Sequence, residues 1–219
     1  MNFRPVLWKH VIWDLDGTLL DTYPATDGAL SAALAGFGQA VTPPELRPLT
    51  RLTLAHAVTV WANRAGVDEA QLWAAYEREY AVLGQQVSPA MPGALSALRA
   101  VRRRGGLNLL ATHRDREGAV WRLEAAGLHT LLDDLASVSD GFPRKPDPAL
   151  FAALLDRHRL NPVEVLAVGD RDLDIQAGRA AGCQTALLLT PGVVLSTGAD
   201  RVLARLDELA EAQEVPPER

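Results

Sequence analysis

The chain has 219 residues, 48% of them hydrophobic, and a formal net charge of -5. That composition supplies a sizeable core for one large domain, or for a core with a smaller insert. The acidic balance argues against a nucleic-acid surface. The single cysteine, Cys183, excludes an internal disulfide, fits a reducing, cytoplasmic setting and reads as a small buried hydrophobe. No apolar stretch reaches the length of a membrane anchor or forms an export signal.

Val11-Ile12-Trp13 reads as a buried strand that stops on Asp14-Leu15-Asp16-Gly17-Thr18. Aspartate is disfavoured in strands. Two of them at a strand end either cap a turn or carry chemistry. From about Pro24 to Gln86 the apolar residues recur at helical spacing. Helices are expected over 25–37, from Pro43-Pro44 onward, over 54–64, and from the cap Asp68 through Leu83. Residues 23–87 therefore form an expected all-helical insert, and 1–22 with 88–219 an α/β core.

Beyond the insert, strands and helices alternate. A helix opens at Pro92-Gly93, carries Arg102-Arg103-Arg104 where cations suit its end, and closes at Gly105-Gly106. A strand over 107–111 ends at Thr112, and a helix follows over 115–126. Then come a weak strand over 135–138, a helix over 147–158 and a strong strand over 163–168 that ends at Gly169-Asp170. A helix over 172–181, a strand over 185–189 stopped by Thr190-Pro191-Gly192, a short strand with a closing helix over 201–210, and a frayed tail over 211–219 complete the chain. Strands that are apolar on both faces and alternate with helices imply a doubly wound parallel sheet, an α/β Rossmann-like core.

Such sheets bind ligands at the carboxyl ends of their strands. Asp14, Asp16, Thr112, Asp170 and Asp174 all fall there, and Lys145 lies in the Pro143-Arg144-Lys145-Pro146 loop after the weak strand. Several carboxylates in one site repel each other unless a cation or a proton intervenes. Oxygen-only ligands favour a hard cation such as Mg²⁺. A lysine and a hydroxyl beside it make a receptor for phosphate oxygens.

This set resembles the haloacid dehalogenase superfamily on its phosphatase branch, of the phosphoglycolate phosphatase-like kind. Asp14 through Thr18 matches the first family motif, Thr112 the second, Lys145 the third and Gly169 through Asp174 the fourth, in the right order over nearly the whole chain. The insert resembles the family's small α-helical cap. The resemblance implies Asp14 as the nucleophile, carrying an aspartyl-phosphate intermediate. It implies Asp16 as general acid and then base, its backbone carbonyl also touching Mg²⁺. Thr112 and Lys145 would hold the transferring phosphoryl group. Asp14, Asp16, Asp170 and Asp174 form the implied metal set, with Asp174 either a ligand through water or the group that orients Lys145. Thr18 and Gly17 shape the turn. A cis Lys145-Pro146 bond is also implied.

One departure is His113, where the family often has Asn. A structural or substrate-edge role ranks there above proton transfer. In the insert, Arg51 is the substrate-binding candidate, with Arg47 and His56 beside it. Solvated helix face is the competing reading for all three. Trp61, Trp73, Tyr76 and Tyr80 read as cap core.

The function expected is an Mg²⁺-dependent phosphatase of small phosphorylated metabolites, such as phosphoglycolate or a sugar phosphate. It would act as a monomer or weak homodimer with no nucleic-acid or membrane partner. The alternatives are a sugar phosphomutase or pyrophosphatase of the same fold and, from another class, a non-catalytic phosphate-binding module.

Overall fold

The computed structural model describes residues 8–190, 193 and 198–211. The expected tail past residue 211, and the Pro191-Gly192 stop after the fifth core strand, lie outside them. The described chain divides into two compact units: 8–20, 89–190 and 198–211 in one, 21–88 and 193 in the other.

The first unit is built on six parallel strands: β1 (His10–Trp13), β2 (Asn108–Thr112), β3 (Asp134–Ser137), β4 (Val165–Gly169), β5 (Gln184–Leu188) and β6 (Arg201–Leu203). Their order is β3-β2-β1-β4-β5-β6, so β1 lies between β2 and β4 at the point where the strand order reverses. Both faces of the sheet are covered. Val11, Trp13, Leu110, Leu166 and Val168 point into one apolar cluster, where they meet α5 (Ala94–Arg103) and α6 (Arg116–Ala125). Ile12, Leu109, Ala111, Val165 and Ala167 point into a second, where they meet α7 (Ala149–His158) and α8 (Asp172–Ala180). The side-chain period of two in a strand produces this division. It leaves no polar face for the strands, so β1 reads as continuously apolar rather than alternating. A short α9 (Glu208–Glu211) closes the described chain.

The second unit packs α1 (Tyr23–Ala35), α2 (Pro43–Thr50), α3 (Leu54–Ala65) and α4 (Glu69–Leu83) around its own core, which includes Leu30, Leu34, Leu46, Val58, Leu72 and Tyr76. Trp61, Trp73 and Tyr80 border that core, and Tyr76 stacks on Tyr80 with ring centroids 5.5 Å apart. Thr53 and Asp68 cap α3 and α4 by accepting the N–H groups of His56 and Gln71.

Candidate active site

Three strand ends supply the site. β1 ends one residue before Asp14, whose N–H donates to the Val168 carbonyl of β4 at 2.8 Å. The chain then turns at once: the Gly17 N–H donates to the Leu20 carbonyl, and Gly17 adopts a left-handed φ of 84° that glycine takes without steric cost. The turn leaves Asp16 half-buried and seats Thr18 fully inside, its hydroxyl 3.3 Å from Asp170 Oδ1.

β4 delivers the opposite wall. It stops at Gly169, and α8 starts two residues after Asp170, with Asp172 and Asp174 in the first turn where the helix dipole favours anions. Arg171, not Asp170, takes the position before the helix, and its N–H donates to Asp174 Oδ2 at 3.2 Å. Gly169 is required by the close approach of this turn: a Cβ there would lie 2.2 Å from the Cβ of Asp174.

Lys145 comes in from the loop after β3. The Lys145–Pro146 peptide is cis. The ammonium is fully enclosed, 2.5 Å from Asp14 Oδ1, 2.5 Å from Asp174 Oδ1 and 3.1 Å from the Ala111 carbonyl at the end of β2. Burial alone would lower the Lys145 pKa, but Asp14 and Asp174 outweigh it and hold the ammonium above its ordinary value. At Asp174 burial pulls upward, and Lys145 and Arg171 overcome it, so this carboxyl stays below its ordinary value. Asp14 goes the other way. Burial pushes it up to about 7 against the pull of Lys145, with the charges of Asp174 and Asp170 adding to the rise. Its Oδ2 is buried and has no hydrogen-bond partner among the described residues. Oxygens of Asp14, Asp170 and Asp174 lie within 4.8 Å of one another. An orphaned carboxylate oxygen in an all-oxygen cluster fits a hard divalent cation. Both oxygens of Asp174 are engaged by Lys145 and Arg171, so Asp14 and Asp170 are the better placed direct ligands.

β2 ends in three consecutive contributions. Thr112 is completely buried at the strand's last position, its hydroxyl accepting the N–H of Arg114 at 3.1 Å. His113 Nε2 accepts the backbone N–H of Lys145 at 2.6 Å, and the ring is pushed down to about 3 by burial and by the charges of Lys145, Arg171 and Arg144. Arg114 Nε and Nη2 both donate to Asp16 Oδ1, at 2.9 and 2.7 Å. The pairing of Arg114 with Asp16 was not singled out from the sequence, which carries no local signal for a contact between residues 98 positions apart.

Arg51 belongs to the helical unit. It is buried, its guanidinium within 3.4 Å of Asp27 Oδ2 and stacked on the Tyr23 ring. Thr50 also donates to Asp27, at 2.7 Å. Arg47 stands 3.8 Å from the same carboxylate, and His56 is exposed on α3.

Residues 8–182 match the model of the haloacid dehalogenase-like hydrolases. The chain is similar to the plasmid-encoded phosphoglycolate phosphatase of Cupriavidus necator, 31% identical over 91% of this chain and 90% of that protein. It is also similar to the phosphoglycolate phosphatase of Vibrio cholerae, 29% identical over 80% of this chain and 81% of that one. A crystal structure of a HAD family hydrolase from Deinococcus radiodurans, with bound phosphate and sodium, shares the fold at a TM-score of 0.78 and 24% identity, covering 94% of this chain and 97% of that one. With motif residues, sheet order and family match in agreement, the chain belongs to the haloacid dehalogenase-like hydrolase family, on its phosphatase branch.

Proposed function

We propose that this enzyme hydrolyses small phosphate monoesters in two steps through Asp14, with 2-phosphoglycolate the first substrate to test. One observation carries the reading: a buried lysine bridges Asp14 and Asp174 at 2.5 Å each while the second oxygen of Asp14 has no hydrogen-bond partner among the described residues. Asp14 thus keeps lone pairs available for attack, and Lys145 supplies positive charge where a phosphoryl group would arrive. The choice of phosphoglycolate rests on the names of relatives 29–31% identical to the chain.

In the first step an Asp14 oxygen bonds to phosphorus, the ester P–O bond breaks, and the leaving alkoxide takes a proton from Asp16. In the second, water attacks the aspartyl-phosphate, Asp16 accepts the water's proton, and the bond from phosphorus to Asp14 breaks to release phosphate. Thr112 and Lys145 hold the transferring group through both steps. Asp14, Asp170 and the Asp16 carbonyl would hold Mg²⁺, which offsets the charge between phosphate and carboxylate. Asp174 keeps Lys145 in place. The buried Cys183 thiol, pushed up to about 12 by burial, takes no part.

A panel of phosphate monoesters assayed with Mg²⁺ tests the reading. Wild type should release phosphate from at least one small ester, and Asp14→Asn should lose on the order of 10³-fold or more of that rate. No release by folded wild type would overturn the phosphatase reading, and undiminished activity in Asp14→Asn would overturn the nucleophile. Phosphate passed between hydroxyls of one sugar faster than it is released would assign a mutase instead.

A further inference from the structure

His113 has no counterpart in the chemistry above, yet it sits among the reacting groups. Its ring is half-buried beside Lys145, and its Nε2 lies 2.6 Å from the Lys145 backbone nitrogen. That nitrogen carries a hydrogen, so the ring must accept. An imidazolium has no acceptor, and a neutral ring accepts only at the nitrogen without the proton. The contact therefore requires the neutral tautomer protonated at Nδ1. Burial, with the charges of Lys145, Arg171 and Arg144 added to it, keeps the ring neutral in support of this, with its pKa near 3. A second tie joins the same two segments: the Arg144 guanidinium lies 3.5 Å from the His113 carbonyl. Lys145 is in turn the residue whose ammonium must reach Asp14, Asp174 and the Ala111 carbonyl at once. The loop bearing it has proline on either side, at 143 and 146, so few backbone donors remain there to hold it.

We propose that His113 is a positioning residue for Lys145: its Nε2 fixes the Lys145 backbone, and through it the ammonium, instead of binding substrate or moving a proton. The side chain occupies the place where the family often has Asn, but an Asn amide oxygen is too close to the backbone to reach the Nε2 position. A Gln amide oxygen reaches it. The strand end from Thr112 to Arg114 then serves three groups in turn: the phosphoryl group, Lys145 and Asp16. The kinetic arm of the test rests on the phosphatase reading, and the spectroscopic arm does not.

In the full-length protein with ¹⁵N-labelled histidine, the His113 signals should show a protonated Nδ1 and an unprotonated Nε2 throughout pH 5–8, with the Lys145 amide protected from exchange. A proton on Nε2, or titration near the ordinary imidazole value, would overturn the proposal whatever the enzyme's substrate. With 2-phosphoglycolate or p-nitrophenyl phosphate as the ester, His113→Ala and His113→Asn should lose about 10–100-fold in kcat, since small misplacements of a charged group cost that much. KM should change less than about threefold, and His113→Gln should recover most of the loss. Asn performing as well as Gln, or a loss confined to KM, would overturn the positioning role. Variants that fail to fold leave the decision to the wild-type tautomer. If wild type releases no phosphate from any ester, the phosphatase reading fails alone, and the tautomer still decides the contact.

Discussion

Arg114 donates twice to a single oxygen of Asp16, so one Asp16 oxygen is held and the carboxylate's orientation is set from outside the first motif. The two side chains are about one-fifth exposed, which limits the pair's worth as a stabiliser. Its value lies in orientation. A general base must meet the attacking water at hydrogen-bond distance, and a carboxylate free to rotate spends less time there. Arg114→Met should therefore lower kcat on the order of tenfold with KM nearly unchanged. A rise in KM at constant kcat would instead make Arg114 a substrate contact. Thr112 and Lys145 were legible in the sequence only because their order and strand-end positions join them to Asp14 and Asp170. Alone, each is an ordinary strand-end hydroxyl or loop lysine. The partners of Arg114 and His113 were not legible, because they are set by the crossing of strand ends far apart in the chain.

The elements themselves followed closely from periodicity, with their ends displaced by local polar bonds. The helix expected from 147 begins at Ala149, because the Asp147 side chain accepts the Ala149 N–H at 2.9 Å and holds the preceding turn open. The strand expected from 163 begins at Val165, because Pro162–Glu164 forms a 3₁₀ turn. The weak third strand is shifted to Asp134–Ser137, and Val138 passes into the next turn. The joint between β4 and α8 is the most exacting of these boundaries. Gly169 lets the first turn of α8 lie against the strand end, and Asp174 depends on that contact for its reach to Lys145. Gly169→Ala should displace Asp174 by about the overlap of a methyl group and break the bridge to Lys145. The expected result is a loss of stability of roughly 1–3 kcal/mol together with a fall in kcat of at least about tenfold, read by denaturant unfolding and turnover of the same ester. Wild-type turnover in a folded Gly169→Ala protein would show that Asp174 does not hold Lys145 in its working position.

At the scale of the molecule, the sheet concentrates opposing charges in a dry place. Asp14, Asp170 and Asp174 are each at most 2% exposed, against one equally buried ammonium. Burial pushes Asp14 upward and the neighbouring carboxylates add to the rise, so the cluster stores repulsion that a divalent cation relieves. A ligand that binds only the folded state raises stability by mass action, about 2.7 kcal/mol at a hundred times its Kd. For a chain of this length that is roughly 5–10 °C in Tm. Mg²⁺ added to EDTA-treated protein should produce such a rise, reversible by chelator. Asp170→Asn should abolish most of it, because the amide removes one charge and one strong oxygen ligand while keeping an acceptor for the Thr18 hydroxyl. Without Mg²⁺ the same variant should melt no lower than wild type, since the folded state has lost one of three mutually repelling carboxylates and no apolar contact. The two halves of this prediction fix each other's meaning. A variant that melts lower without metal reveals a structural role for Asp170, whereas an equal Mg²⁺ shift in both proteins places the ion away from the three aspartates. Only a lost shift with retained stability matches a carboxylate kept, at a cost to the fold, for the ion it binds.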